Sequence, residues 1–153
     1  ICIAGRELSL DEIEHGIIRG GQFRYGMGYL KDIFPGSFVK KQMVDVLDFR
    51  IHFTLNCGAA SCPPIAFYSS EMLEEQFDIA TNNYLEQEVL YNKETNEVYV
   101  PKLMDWYRGD FNGKKGILKI LKTYELIPED SSPKIRFKPY DWSVFEMYFV
   151  EGG

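Results

Sequence analysis

The chain has 153 residues, 45% of them apolar and 15% aromatic, which is enough to bury a core and excludes wholesale disorder. Acidic side chains outnumber basic ones, 23 to 17, so a grip on nucleic acid or an anionic membrane through overall charge is not expected. No apolar run approaches the roughly 20 residues of a membrane span, and three cysteines are too few for a disulfide scaffold.

The length suits one domain over residues 1–153. The chain opens Ile1-Cys2-Ile3-Ala4, without Met and without a basic n-region. We therefore expect no signal peptide, and either a processed protein or a piece of a longer one. Ser9-Leu10-Asp11-Glu12 reads as a capping box, and Leu10, Ile13 and Ile17 recur at helical spacing before Gly20-Gly21. A short helix over about 10–19 follows. Phe23, Tyr25, Met27 and Tyr29 alternate, but Gly26 and Gly28 weaken a strand there, and Phe34-Pro35-Gly36 is a turn.

Arg50 to Asn56 alternates cleanly, with Ile51, Phe53 and Leu55 on one face and Arg50, His52, Thr54 and Asn56 on the other. This predicts a central strand. Leu73, Phe77, Ala80 and Tyr84 form one stripe of a helix over 70–87. Val89-Leu90-Tyr91 and Val98-Tyr99-Val100 flank a hairpin turn. A helical turn is expected at Leu103–Tyr107, a helix over 114–124 that Gly116 weakens, a loop from Pro128 to Pro133, and a last strand at Ile135 and Phe137. The order predicts an α+β fold of packed helices and mostly antiparallel strands.

The segment Arg50–Pro64 is the best candidate for chemistry. A polar face carrying His52 runs into a small-residue loop holding Cys57 and Cys62. A thiol becomes a nucleophile when a base lowers its pKa. On a strand, His52 and Cys57 would sit about 16 Å apart, so Cys62, returning from the loop, is the easier partner. Alternatively, His52 is a hydrogen-bonded structural residue and both cysteines are small core hydrophobes. A zinc site would need His15 and His52 to join Cys57 and Cys62 from three separate elements. A Cys57–Cys62 disulfide would need an oxidising compartment. Asp105 to Phe111 reads as a helix edge with aromatics inward and charges in water. Asp141, in Tyr140-Asp141-Trp142, either orients His52 or caps a turn.

Leu8–Gly20, Arg50–Ile65, Trp106-Tyr107, Asp110-Phe111 and Tyr140-Asp141-Trp142-Ser143 together resemble the domain-of-unknown-function 547 family, in order and across nearly the whole chain. The resemblance implies a domain whose usual N-terminal helix does not precede Ile1. By analogy its His, Cys and Asp pattern is similar to that of papain-like and transglutaminase-like folds, with His52 as base and Asp141 as orienter.

Two functions are carried forward. One is a non-catalytic interaction or structural module, a subunit of a larger assembly with protein partners. The other is a Cys/His-dependent hydrolase or acyl-transfer enzyme built on His52, Cys57, Cys62 and Asp141. The expected pocket includes His15, Glu14, Arg19, Arg50 and Asn56, with Arg19 or Glu14 near the 56–64 loop, and needs no metal or cofactor.

Overall fold

In the computed structural model, which describes residues 1–144, the capping box at Ser9 closes as its sequence predicts. The Ser9 N–H donates to Glu12 Oε2 at 2.8 Å, and the Glu12 N–H returns to Ser9 Oγ at 3.2 Å. The helix that follows is wound as a π-helix over Glu12–Ile18. The Arg19 N–H reaches back to the Glu14 carbonyl and that of Gly21 to Gly16. Before it, β1 (Cys2–Ile3) and β2 (Arg6–Glu7) form a small antiparallel pair that the sequence analysis does not anticipate. A short helix α1 (Ser37–Gln42) is likewise unanticipated.

The core is built by the second half of the chain. Helix α2 (Leu73–Glu88) and helix α4 (Gly113–Thr123) fall where the periodicity puts them, as do the hairpin of β3 (Leu90–Asn92) and β4 (Glu97–Val100) and the turn α3 (Leu103–Trp106). Val98 and Val100 point from β4 into a cluster with Tyr84, Leu85, Met104, Phe111, Ile117 and Leu121. Strand β5 (Lys134–Phe137) pairs with β4 in parallel, because α3 and α4 carry the chain back across the sheet before it re-enters. The three-stranded sheet has the order β3-β4-β5, and the fold is α+β.

One expectation is overturned. Residues 50–56 are not a central strand: Phe49–Phe53 is a 3₁₀ helix packed on α2. The Asp48 carboxylate accepts the Arg50 N–H at 2.9 Å and also holds the Arg50 guanidinium, which fixes the turn at its start. Ile51, His52 and Phe53 are all buried, whereas Leu55 is exposed. At three residues per turn, successive side chains diverge by roughly 120°. This segment is surrounded on several sides, so its alternation does not mark a half-buried strand.

The Gly-rich segment crosses the turn after α3 at very short range. Gly109 N–H donates to the Met27 carbonyl at 2.6 Å. A Cβ on Gly109 would lie 2.4 Å from the Gly28 carbonyl carbon, and one on Gly28, which has φ +79°, would lie 2.0 Å from Asp110 Oδ1. The Gly28 carbonyl is backbone, and the Asp110 carboxylate is buried with its other oxygen held by Arg19 and His52. Gly28→Ala and Gly109→Ala are each expected to lower stability by at least about 2 kcal/mol. Gly36→Ala, which meets nothing within 4 Å, should stay within about 0.5 kcal/mol of the parent in urea denaturation.

Candidate functional site

Two polar clusters stand out. The first is buried. Arg19, at the end of the π-helix, is 1% exposed and donates from Nε to Asp110 Oδ2 at 2.7 Å. His52, 3% exposed, meets the same oxygen through Nε2 at 2.8 Å. The His52 ring stacks on Tyr107 at 4.1 Å, and the Arg19 guanidinium lies 4.6 Å from the centre of the same tyrosine. The Tyr107 hydroxyl donates to Glu14 Oε1 at 2.9 Å, and Arg19 donates to His15 Nδ1 at 2.7 Å. The π-winding puts both Glu14 and His15 one turn before Arg19, so all three serve one cluster.

Burial pushes the Asp110 carboxyl up, but hydrogen bonds from His52 and Arg19 outweigh it and hold the group below the usual carboxylate range. An ionised Asp110 can only accept, so His52 carries its proton on Nε2. Burial lowers the His52 pKa more than the Asp110 hydrogen bond raises it, so the ring is neutral. His15 is also lowered, by burial first. Burial, followed by the nearby Glu14 charge, raises the Tyr107 hydroxyl, which therefore stays a donor.

The second cluster lies at the surface. Asn56 closes the cysteine loop at both ends: its Oδ1 accepts the Gly58 N–H at 2.7 Å and its Nδ2 donates to the Pro63 carbonyl at 2.5 Å. Within the loop, Cys57 Sγ and Cys62 Sγ are 2.8 Å apart, and the Cys57 N–H donates to Cys62 Sγ at 3.0 Å. The Tyr140 hydroxyl lies 3.1 Å from Cys62 Sγ and 3.5 Å from Cys57 Sγ. Segment 140–144 straps the loop down. The Ala60 N–H donates to the Ser143 carbonyl, and the Asp141 N–H donates to Ser61 Oγ.

These two clusters divide the residues expected in one pocket. His52, Arg19, Glu14 and His15 belong to the buried group, with Cys57, Cys62, Asn56 and Asp141 in the loop. Neither sulfur is hydrogen bonded to His52, and Arg19 and Glu14 face Asp110 and Tyr107 rather than the 56–64 loop. The carboxylate on His52 is Asp110, not Asp141, whose own oxygen caps the Ser143 N–H. Arg50 is turned the other way, bound to Asp48, Glu74 and Asp78. On a 3₁₀ helix, residues 50 and 52 do not share a face as they would on a strand. With His15 and His52 bound to Arg19 and Asp110, the four-ligand zinc set is not assembled. Among the described residues, no three His, Cys, Asp or Glu side chains gather as a metal site.

A family model described as "Protein of unknown function, DUF547" matches residues 1–85, more than half of the chain. The chain belongs to the DUF547 family. No curated protein and no solved structure matches it. Within this DUF547 chain, the matched region supplies Arg19, His52 and both loop cysteines. Tyr107, Asp110 and Tyr140 come from beyond it. The sequence puts Tyr107 and Asp110 on a helix edge with aromatics inward and charges in water; Asp110 is instead buried, drawn in by Arg19 and His52. The signal available was Asp110 beside Phe111, an acid next to a core aromatic.

Both histidines have folded pKa values below their unfolded ones, so the unfolded chain binds more protons as pH falls below about 6.5. Stability is therefore full above that pH and lost beneath it, with a slope of up to about 1.4 kcal/mol per pH unit for His52. His52→Gln keeps an N–H toward Asp110 and removes the titration. Urea denaturation between about pH 5 and 8 should show the shallower slope in that variant.

Proposed function

We propose that this DUF547 domain is an interaction module that docks a protein partner through the arm formed by residues 21–34. The observation that carries the reading is the run of apolar side chains the arm leaves in water. Tyr25 is 67% exposed, Ile33 78% and Phe34 86%, with Phe23, Met27, Tyr29 and Leu30 also exposed. Isolated exposed apolar residues are ordinary, but a contiguous aromatic-rich set suits a protein interface. The arm is also pre-ordered. The Phe23 N–H donates to the Leu30 carbonyl, the Asp32 N–H to Gly21, and its tip is fixed by the Gly28 and Gly109 crossing. An ordered patch loses less conformational entropy on binding than a loose one.

The Cys/His hydrolase reading has less support. It needs a base beside a thiol, and His52 is buried and committed to Asp110. If His52 does not serve the thiols, His52→Gln should leave the alkylation rate of Cys57 by iodoacetamide within about twofold of the parent; a tenfold loss would revive that reading.

The docking reading is tested by placing a photoreactive benzoylphenylalanine at Ile33 in the cell of origin, with the same group at Glu129 as control. A discrete adduct from position 33, absent at 129 and lost on adding Phe34→Asp, is the expected result. Phe34→Asp should change stability by less than about 0.5 kcal/mol, since Phe34 packs little. Absence of any adduct at 33, or the same adducts at 129, would count against an interaction role for this arm.

A further inference from the structure

The loop from Asn56 to Pro63 brings together two thiols and a tyrosine hydroxyl that the interaction reading does not use. We propose that Cys57 and Cys62 form a thiol–disulfide exchange site that, in its disulfide form, oxidises dithiols. Three observations carry this. The sulfurs face each other at 2.8 Å inside a loop whose ends Asn56 clamps. The two differ in access, Cys57 being exposed and Cys62 half-buried. The donors in the cluster lie closer to Cys62: the Cys57 N–H is 3.0 Å from its sulfur, and the Tyr140 hydroxyl is 3.1 Å from it against 3.5 Å from Cys57 Sγ. The Tyr140 ring is held by Trp106 at 4.7 Å and Trp142 at 4.6 Å, so its hydroxyl is aimed rather than free.

This asymmetry sets the direction of exchange. In the disulfide form, Cys57 is the sulfur an external thiolate can reach. A sulfur–sulfur bond forms between the substrate and Cys57 while the Cys57–Cys62 bond breaks, and its electron pair leaves on Cys62. Burial opposes a Cys62 thiolate, but in the dithiol the Cys57 thiol, the Tyr140 hydroxyl and the Cys57 N–H outweigh it and hold Cys62 below its ordinary pKa; in the mixed disulfide the Cys57 N–H and the Tyr140 hydroxyl remain as its donors. A more acidic thiol is the better leaving group. Burial, followed by the hydrogen bonds to the two cysteines, raises Tyr140, so it remains a donor throughout. The second substrate thiolate then attacks the first substrate sulfur and displaces Cys57. The substrate dithiol has lost two electrons and two protons, and the Cys57–Cys62 pair has gained both. A small-molecule disulfide, such as oxidised glutathione, restores the pair by the same steps reversed.

The test uses the full chain carrying Cys2→Ala, equilibrated with mixtures of reduced and oxidised glutathione and read by mass spectrometry. One intrachain disulfide is expected, and the oxidised chain should convert one equivalent of dithiothreitol to its cyclic disulfide. Cys62→Ser should hold glutathione as a mixed disulfide on Cys57. Tyr140→Phe keeps the ring but removes the donor to the reduced state, so the equilibrium should move toward the disulfide by about tenfold. Circular dichroism confirms that the variants are folded. Two separate glutathione adducts in place of an intrachain bond, or no oxidation at any ratio, would overturn the proposal, as would an unmoved equilibrium in Tyr140→Phe.

Discussion

The Asp110 carboxylate ties together parts of the chain that no sheet joins. Its Oδ2 accepts from Arg19 on the π-helix and from His52 on the 3₁₀ helix, while Oδ1 is buried without a partner. A charge so placed is costly unless it is paired, and the pairing holds only while both donors stay in register. The geometry of the first half of the chain follows from meeting that condition. The π-winding sets Glu14 and His15 together one turn before Arg19. The 3₁₀ turn directs His52 away from Arg50 and onto Tyr107. An α-helix and a strand at these positions would give different registers, and the shared oxygen would lose a donor.

The glycines serve the same end. Asp110 begins the approach to α4, and the arm must pass over it without a side chain in the way. Gly28 and Gly109 give that clearance, and Gly116 repeats the device one turn into α4, where a Cβ would fall 1.8 Å from the Phe111 carbonyl oxygen. The weakening of the helix by that glycine, about 1 kcal/mol against Ala, is thus set against a contact no other residue allows. Phe111 in turn packs at a tilt against His52, Phe49 and Phe53, so the buried charges and the apolar core share a wall.

What was legible in the sequence divides along a physical line. Elements whose burial is one-sided, such as α2, α4 and the β3–β4 hairpin, carry the period of their own geometry and were read correctly. The capping box at Ser9 was legible because it is local. Residues 49–53 were misread because they are buried on several sides, which erases the difference between an alternating and a turning segment. The partnership of His52 with Asp110 spans 58 positions and leaves no periodic trace. The cysteine loop was found from its composition, but its partner Tyr140 was not, since only the strapping of segment 140–144 across the loop brings the hydroxyl there.

The division of polar groups also limits the chemistry each cluster can do. His52 has the lone pair of a base, but Asp110 and Tyr107 hold it in the interior beside a fixed positive charge, which favours its neutral form. Among the described residues the thiols have access but no base beside them; what surrounds them there is a set of donors. Donors beside a thiol stabilise its thiolate, whether that thiolate leaves a disulfide or attacks one, but they do not themselves take up its proton. A papain-like arrangement needs both roles to meet at one sulfur. In this chain the acidic orienter, the imidazole and the thiols are all present, yet Asp110 draws the imidazole inward and Tyr140 takes its place at the sulfurs. With the imidazole held inward, the described neighbours of the sulfurs are hydrogen-bond donors, the arrangement on which the proposed exchange chemistry rests.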